Sequence, residues 1–204
     1  AQNHPLYSTD RENLDHLCAI DSPTPNNFVE LARLLIRYQD FIGAEDLNSD
    51  MDKLLKHKID FVQDNQSISY KGVLRGLHFQ LHPNPQAKLI RVLSGSIFDV
   101  IVDLRLNSPT FLEWIKIELN SEKNNQLWIP KGFAHGFYVI SDYVDMHYKV
   151  SEIYDPKDDH GIIWNDPDLD IDWQCDDPIL SEKDKFLPFF EKAQHFDYNQ
   201  SLYD

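Results

Sequence analysis

The pattern of apolar and polar positions changes character near residue 58. Before this point, apolar residues recur at helical spacing over residues 28–41 and again over residues 46–57. The connection between the two stretches is short and contains Gly43. This part of the chain therefore predicts a helical hairpin, which we treat as a segment of unknown role over residues 1–58.

From residue 59 onward, the chain shows short runs rich in Val, Ile, Phe and Tyr, separated by turn residues. The runs at 89–93 and 97–104 flank Ser94-Gly95-Ser96, which predicts a hairpin between them. Further strands are predicted at residues 114–119, 126–129, 137–140 and 143–150. So many short strands predict a mainly β domain over residues 59–204, either a jelly roll or a small barrel.

Two smaller features complete the predicted architecture. Asp99 and Asp103 are four residues apart in one strand, so they are expected on the same face. Residues 181–190 begin with a helix-start pattern, which predicts a short helical segment near the C-terminal end of the chain.

Composition places the chain among globular proteins. Of its 204 residues, 42% are hydrophobic and 12% are aromatic, and no apolar run is long enough to span a bilayer. The first twenty residues lack the basic start and apolar middle of a secretory signal. Cys18 and Cys175 are the two cysteines, and such sparse use suits a reducing compartment with both thiols free. We expect a cytoplasmic protein without a membrane partner.

The distribution of charge narrows the classes of ligand. A net charge of −15 argues against nucleic acid as a partner, because phosphate backbones are bound by basic patches. Residues 1–58 carry 6 basic and 10 acidic side chains, and residues 141–204 carry 5 and 17. Residues 59–140 carry 8 basic and 7 acidic side chains, so they alone are not dominated by carboxylates. An anionic small molecule is therefore expected to bind in this middle part.

Side chains capable of acid–base chemistry are spread through the β part of the chain. His78 lies between Leu77 and Phe79, and a single histidine in such surroundings is more often a hydrogen-bonded core residue than a catalyst. Together, however, His78, a tyrosine, a lysine and an arginine at the mouth of a barrel suit proton abstraction next to a carbonyl.

A metal site is the competing interpretation of the histidines. His78, His82 and His135 would offer imidazole ligands for Fe, Mn or Zn in a barrel. The residue two positions after His78 is Gln80, however, and no glutamate follows at the spacing of a metal-binding cluster. The sequence favours a site without metal.

Seven segments of the β part carry a recognisable set of motifs, the central one being Arg75-Gly-Leu-His78-Phe-Gln80. The segments are residues 61–67, 72–80, 88–91, 98–100, 126–137, 148–149 and 163–167. In order and spacing they closely resemble the dTDP-4-dehydrorhamnose 3,5-epimerase family. The resemblance implies a cupin-type jelly-roll barrel, a homodimer, a dTDP-sugar substrate, and no metal or organic cofactor.

The resemblance also implies roles for individual residues. His78 would be the base that removes the protons at C3 and C5 of the sugar, and Asp184 would orient it. Tyr148 would return a proton from the opposite face, and Lys88 would act at the reacting centre. Other positions match substrate-binding residues of the family. These are Gln63, Asn65, Arg75 for the diphosphate, Asp99 bracing Lys88, His135, Tyr154 stacking on the thymine, Asp159 in place of a glutamate, and Lys183.

The resemblance does not extend to the first 57 or so residues. The family begins with an Arg-Gly-Phe-Phe-type loop followed by a glutamate, and the nearest arginine here, Arg33, lies in a helical pattern. The segment instead resembles a small cyanobacterial family of unknown function. A barrel without its leading strands exposes sheet edges unless other chain covers them.

Three functional hypotheses follow. The first is an isomerase that epimerises C3 and C5 of dTDP-4-dehydro-6-deoxy-D-glucose to give dTDP-4-dehydro-L-rhamnose. The second is an inactive or weakly active cupin that binds a nucleotide sugar or serves as an interaction module. The third is an epimerase that acts only at C3 of a related nucleotide sugar.

Overall fold

The computed structural model describes residues 59–203. The predicted helical hairpin, Arg33 and Cys18 lie outside the described residues. Among residues 59–203, no helix is long and apolar enough to cross a lipid bilayer.

Eleven strands make up the framework of residues 59–203. They are β1 (Gln63–Tyr70), β2 (Leu74–Gln80), β3 (Lys88–Ser94), β4 (Ser96–Asp103), β5 (Arg105–Leu106), β6 (Trp114–Asn120), β7 (Gln126–Ile129), β8 (Phe133–Val139), β9 (Tyr143–Val150), β10 (Asp159–Gly161) and β11 (Phe196–Asp197). The strands predicted from sequence are present, although β8 begins four residues before its predicted start. The mainly β prediction is confirmed.

The strands form two antiparallel sheets that face each other. One sheet has the order β1-β9-β3-β7 and the other the order β10-β2-β8-β4-β6. The predicted hairpin of residues 89–93 with 97–104 is wrong, because β3 and β4 lie in different sheets. The turn at Gly95, whose φ is +86°, instead carries the chain from one sheet to the other. This layout is the jelly roll of the cupin type that the sequence predicts.

A hydrophobic core fills the space between the sheets. It contains Ile90 and Val92 from the four-stranded sheet and Ile97 and Ile101 from β4. Since side chains alternate along a strand, Asp99 lies on the same inner face as Ile97 and Ile101. This places a carboxylate inside the barrel, where an unpaired charge is costly.

The outer face of the five-stranded sheet is covered by the C-terminal part of the chain, through Trp173, Phe196 and Leu202. β11 adds to β5 in parallel and fastens this part to the barrel. A one-turn helix, Glu182–Lys185, begins after Ser181, and a 3-10 helix follows at Phe190–Lys192. The short C-terminal helical segment is therefore present where the sequence predicts it.

Candidate active site

A cavity with two adjoining lobes opens between the sheets. The lobes measure about 300 and 310 Å³ and share three lining residues, His78, Lys88 and Tyr148. The first lobe is also lined by Gln63, Asn65, Gln80, Gln86, Tyr154 and Asp159. The second lobe is also lined by Ser67, Ser69, Arg75, His135, Phe137 and Met146. We call the three shared residues the waist of the cavity.

A β-bulge sets the position of His78. The register of β2 against β8 shifts between Arg75 and His78, and His78 is then paired with His135 across the strands. Gly76, within the shift, has a φ of +111°, and a Cβ there would lie 2.5 Å from the Gly136 Cα. Only glycine fits this approach, and bulges of this kind redirect the side chains beside them.

The side chains of His78 and Asp184 are in close contact. The Nε2 of His78 lies 2.6 Å from Oδ1 of Asp184, whose side chain is fully buried. Ser181 donates its hydroxyl to the other oxygen at 2.6 Å, and Arg75 lies 3.8 Å from it. Burial alone would raise the pKa of Asp184, but the hydrogen bonds from His78, Ser181 and the Gly76 amide hold it below the usual value.

A second histidine–aspartate pair lies deeper in the second lobe. The Nε2 of His135 is 3.0 Å from Asp99, and both side chains are buried. Burial raises the pKa of the Asp99 carboxyl and lowers the pKa of the His135 imidazole. Asp99 was expected to brace Lys88; its close contact is with His135, and its charge also acts on Lys88.

Lys88 and Tyr148 complete the waist from the four-stranded sheet. Burial lowers the pKa of Lys88 to about 8, although the charges of Asp159 and Asp99 oppose this effect. Burial and then the Asp159 charge raise the pKa of the Tyr148 hydroxyl. Tyr148 therefore keeps its proton at neutral pH and can donate it, while Lys88 remains mostly charged.

The rim of the first lobe is built around Asp159. Tyr154 donates its hydroxyl to Asp159 at 2.7 Å, and this bond raises the pKa of Tyr154 to about 12. Lys183 forms an ion pair with the same carboxylate oxygen. Beside them, the Gln63 amide donates to Asn65 at 2.7 Å.

The structure thus gathers the predicted site residues around one cavity. Nine of the twelve line its lobes, the buried Asp99 and Asp184 contact lining residues from behind, and the exposed Lys183 pairs with Asp159 at the rim. His82 lines neither lobe. Within residues 59–203, no cluster of three or more His, Cys, Asp or Glu side chains is arranged to hold a metal ion.

Sequence reasoning missed three residues that contribute to the site. Ser181 caps the helix of Asp184 and bonds its carboxylate, and the Ser-x-x-Asp spacing was the available signal. Gln80 and Gln86 line the first lobe. Their amides bond to backbone that is distant in sequence, which no local pattern marks.

Comparison with known families divides the chain into two overlapping parts. Residues 45–192 match a family described as dTDP-4-dehydrorhamnose 3,5-epimerase. Residues 1–64 match a family described only as a protein of unknown function. The first match contains the whole cavity, and the second contains the segment in which the epimerase-type loop was not found.

Similar proteins cover most of the barrel. The dTDP-4-dehydrorhamnose 3,5-epimerase of Shigella flexneri is 49% identical over 139 residues, which are 68% of this chain and 77% of that protein. The enzyme of the same name from Methanothermobacter thermautotrophicus is 53% identical over 131 residues, 63% of this chain and 70% of that protein.

Solved structures show the same likeness. The Legionella pneumophila dTDP-6-deoxy-D-glucose-3,5-epimerase, in complex with dTDP-4-keto-L-rhamnose, is 43% identical with a TM-score of 0.71, over 78% of this chain and 85% of that one. The Streptomyces bikiniensis 3'-monoepimerase ChmJ, in complex with dTDP-quinovose, is 32% identical with a TM-score of 0.65. The match covers 70% of this chain and 72% of that one.

Proposed function

This chain belongs to the dTDP-4-dehydrorhamnose 3,5-epimerase family, and we propose that it epimerises C3 and C5 of dTDP-4-dehydro-6-deoxy-D-glucose. The product is dTDP-4-dehydro-L-rhamnose, an intermediate of dTDP-rhamnose biosynthesis. One observation carries the proposal for this site. His78 lies on β2 of one sheet and Tyr148 on β9 of the other, so a base and an acid face the waist from opposite walls.

Inverting a carbon centre requires that the base and the acid act on opposite faces of the sugar ring. The C4 ketone acidifies the protons on C3 and C5, and His78 removes one of them as the bonding electrons move onto the ketone oxygen. The charged Lys88 stabilises the enolate oxygen that forms. Tyr148 then donates its proton to the carbon from the other face, which inverts the centre. The ionised Asp184 stabilises the imidazolium that His78 becomes.

The substrate is held by polar groups around the two lobes. Arg75, whose guanidinium side chain is 40% exposed, is placed to contact the diphosphate. Gln63, Asn65 and Tyr154 contact the nucleoside, and His135 contacts the sugar. Asp159 and Lys183 contact the ligand at the rim. The reaction uses these side chains alone, so activity should persist after dialysis against a chelator.

A homodimer is the proposed assembly. The outer face of the four-stranded sheet exposes Ile68, Tyr70, Leu93 and Tyr143, and a cluster of large exposed apolar side chains is typical of an interface. Sedimentation equilibrium should give twice the mass of the chain; a monomer at micromolar concentration would contradict the dimer. We place the protein in the cytoplasm, where its nucleotide-sugar substrate is made.

Epimerisation at C3 alone is the second candidate, favoured by the likeness to the Streptomyces 3'-monoepimerase. Solvent exchange distinguishes the outcomes. The protein is incubated with dTDP-4-dehydro-6-deoxy-D-glucose in deuterated water, and deuterium is followed at C3 and C5 by NMR. Deuterium at both positions, lost in His78→Ala, supports the 3,5-epimerase, and deuterium at C3 alone supports the second candidate.

A protein that binds dTDP tightly but exchanges neither proton would be a binding module, and the catalytic proposal would be wrong. The His78→Ala variant serves as the control for contaminating epimerase activity. Its affinity for dTDP, measured by calorimetry, should remain close to that of the wild type.

A further inference from the structure

The segment between β9 and β10, residues 151–158, carries Tyr154 to the rim of the first lobe. Apart from its ends, this segment pairs with no strand among residues 59–203 that could satisfy its backbone groups. Polar backbone in such a position needs other partners. Glutamine side chains supply them at four consecutive residues.

The four contacts come from three glutamines on three different parts of the barrel. Gln86 donates to the carbonyl of Glu152 at 2.8 Å. Gln80 donates to the carbonyl of Ile153 at 3.1 Å. The remaining two contacts run the other way. The Tyr154 amide donates to Gln63 at 3.1 Å, and the Asp155 amide donates to Gln80 at 3.0 Å.

Gln80 is the central member of this set. Its side chain is almost completely buried and uses both ends of its amide: the nitrogen donates to Ile153 and, at 2.6 Å, to the carbonyl of Asn84, and the oxygen accepts from Asp155. It bonds to the residues on either side of Tyr154, namely Ile153 and Asp155. An amide offers a donor and an acceptor at a fixed spacing, so this one side chain brackets the Tyr154 peptide.

Tyr154, whose peptide Gln80 holds on both sides, presents an exposed ring at the cavity. Tyr154 is 49% exposed, and only its hydroxyl is held from the side-chain end, by Asp159. A ring tethered at its tip alone would still move with its backbone. Fixing the peptide as well as the hydroxyl sets the position and the long axis of the ring before a ligand arrives, which lowers the ordering cost of binding.

We propose that Gln80 is a positioning residue that holds Tyr154 ready to contact the base of the nucleotide. The inference rests on the proposed function in so far as it takes the ligand to be a dTDP-sugar. It adds a specific cause of nucleotide affinity that lies in the barrel wall and does not touch the reacting carbons.

A double-mutant cycle tests the proposal with dTDP as the probe and the full chain as the protein. Gln80→Met keeps the length of the side chain and removes all three hydrogen bonds. We expect the Kd for dTDP, measured by calorimetry, to rise about tenfold. In a Tyr154→Ala background the same substitution should leave Kd unchanged within about twofold, because the residue it positions is gone.

The control is Gln194→Met, which changes an exposed glutamine far along the chain and should leave Kd unchanged. Equal losses from Gln80→Met in both backgrounds would overturn the proposal and leave Gln80 a purely structural residue. Melting temperatures of all variants show any general loss of stability. A loss that Gln80→Met causes equally in both backgrounds cancels in the double-mutant cycle.

Amide exchange gives a second measurement that does not depend on nucleotide binding. In Gln80→Met, exchange followed by mass spectrometry should accelerate in peptides containing Tyr154 and Asp155, and protection equal to the wild type would overturn the proposal. If Gln80→Met does not fold, Gln86→Met removes a single contact and should show a smaller change of the same kind.

The outcomes also separate this inference from the proposed function. A wild-type protein that binds dTDP but exchanges neither sugar proton would refute the epimerase, while the cycle would still decide the role of Gln80. A wild-type protein that does not bind dTDP would overturn the nucleotide role of Tyr154 and Gln80.

Discussion

Two histidines line one cavity, each with an aspartate behind it, and the two pairs differ in what surrounds the carboxylate. Asp184 receives the imidazole of His78, the Ser181 hydroxyl and the Gly76 amide. Asp99 receives the imidazole of His135 and the charge of Lys88. Both carboxylates are fully buried, yet the pKa of Asp184 is lowered and the pKa of Asp99 is raised.

Burial raises the pKa of both carboxyls; the hydrogen bonds to Asp184 outweigh this effect, whereas His135 and Lys88 do not outweigh it at Asp99. A carboxylate with several donors stays ionised and stabilises an imidazolium, which suits a residue that accepts and releases protons. At Asp99, which has fewer donors, the pKa of the carboxyl is raised and the pKa of the His135 imidazole is lowered, which suits a residue that donates or accepts hydrogen bonds with a sugar. We therefore expect the two pairs to respond differently to matched substitutions.

The largest difference is expected from the histidines themselves. His78→Asn removes the proposed base and should lower the rate constant for epimerisation by about a thousandfold, within the range for lost general-base catalysis. His135→Asn retains a group that hydrogen bonds and should lower it by about tenfold. Stopped assays with purified variants measure both. Similar losses in the two variants would remove the proposed division of labour.

A smaller difference is expected from the carboxylates. Asp184→Asn keeps the size of the side chain but removes the charge that stabilises the His78 imidazolium, so kcat should fall by about a hundredfold. Asp99→Asn keeps a hydrogen-bonding group beside His135, which is not the proposed base, so kcat should change by only about threefold. A fall of kcat in Asp99→Asn as large as that in Asp184→Asn would contradict the proposed difference between the two pairs.

The smallest effect is a displacement of the pH profile. Lys88, with a pKa of about 8, is charged below that pH, so stabilisation of the enolate should fade and kcat should fall as pH rises through about 8. The Asp99 charge raises the pKa of Lys88. Asp99→Asn should therefore move this descending limb to lower pH, while Asp184→Asn leaves it in place. Profiles of kcat from pH 6 to about 10 distinguish the two variants.

Much of the fold followed from local patterns, because short runs rich in β-branched and aromatic residues between turn residues favour strands. The β4, β7 and β9 segments are examples, and each lies within a residue of its predicted bounds. The wrong prediction, the hairpin of β3 with β4, concerned which strands pair with each other. A Ser-Gly-Ser turn looks the same whether it closes a hairpin or passes between sheets, and only the distant pairing of β3 with β9 and of β4 with β8 decides.

In the site, too, residues in local motifs could be predicted from the sequence, whereas contacts between distant parts of the chain could not. His78, Tyr148 and Lys88 could be identified from family motifs, but the pairing of His135 with Asp99 could not, because it depends on the register of β4 against β8. The role of Gln80 was missed for a similar reason. Its partners lie in a loop about seventy residues later, and they are backbone groups that carry no identity in the sequence.

The contact between Gly76 and Gly136 has a consequence for how this barrel can evolve. A side chain at Gly76 would strike the Gly136 backbone, and one at Gly136 would strike the carbonyl of Arg75 and crowd Trp173. The atoms that an added Cβ would strike at each position include backbone atoms, so a smaller side chain elsewhere would not relieve the clash. Substitutions can therefore accumulate among the side chains that line the two lobes and meet the ligand. The close contact between β2 and β8, which positions His78, cannot change through single substitutions at Gly76 or Gly136.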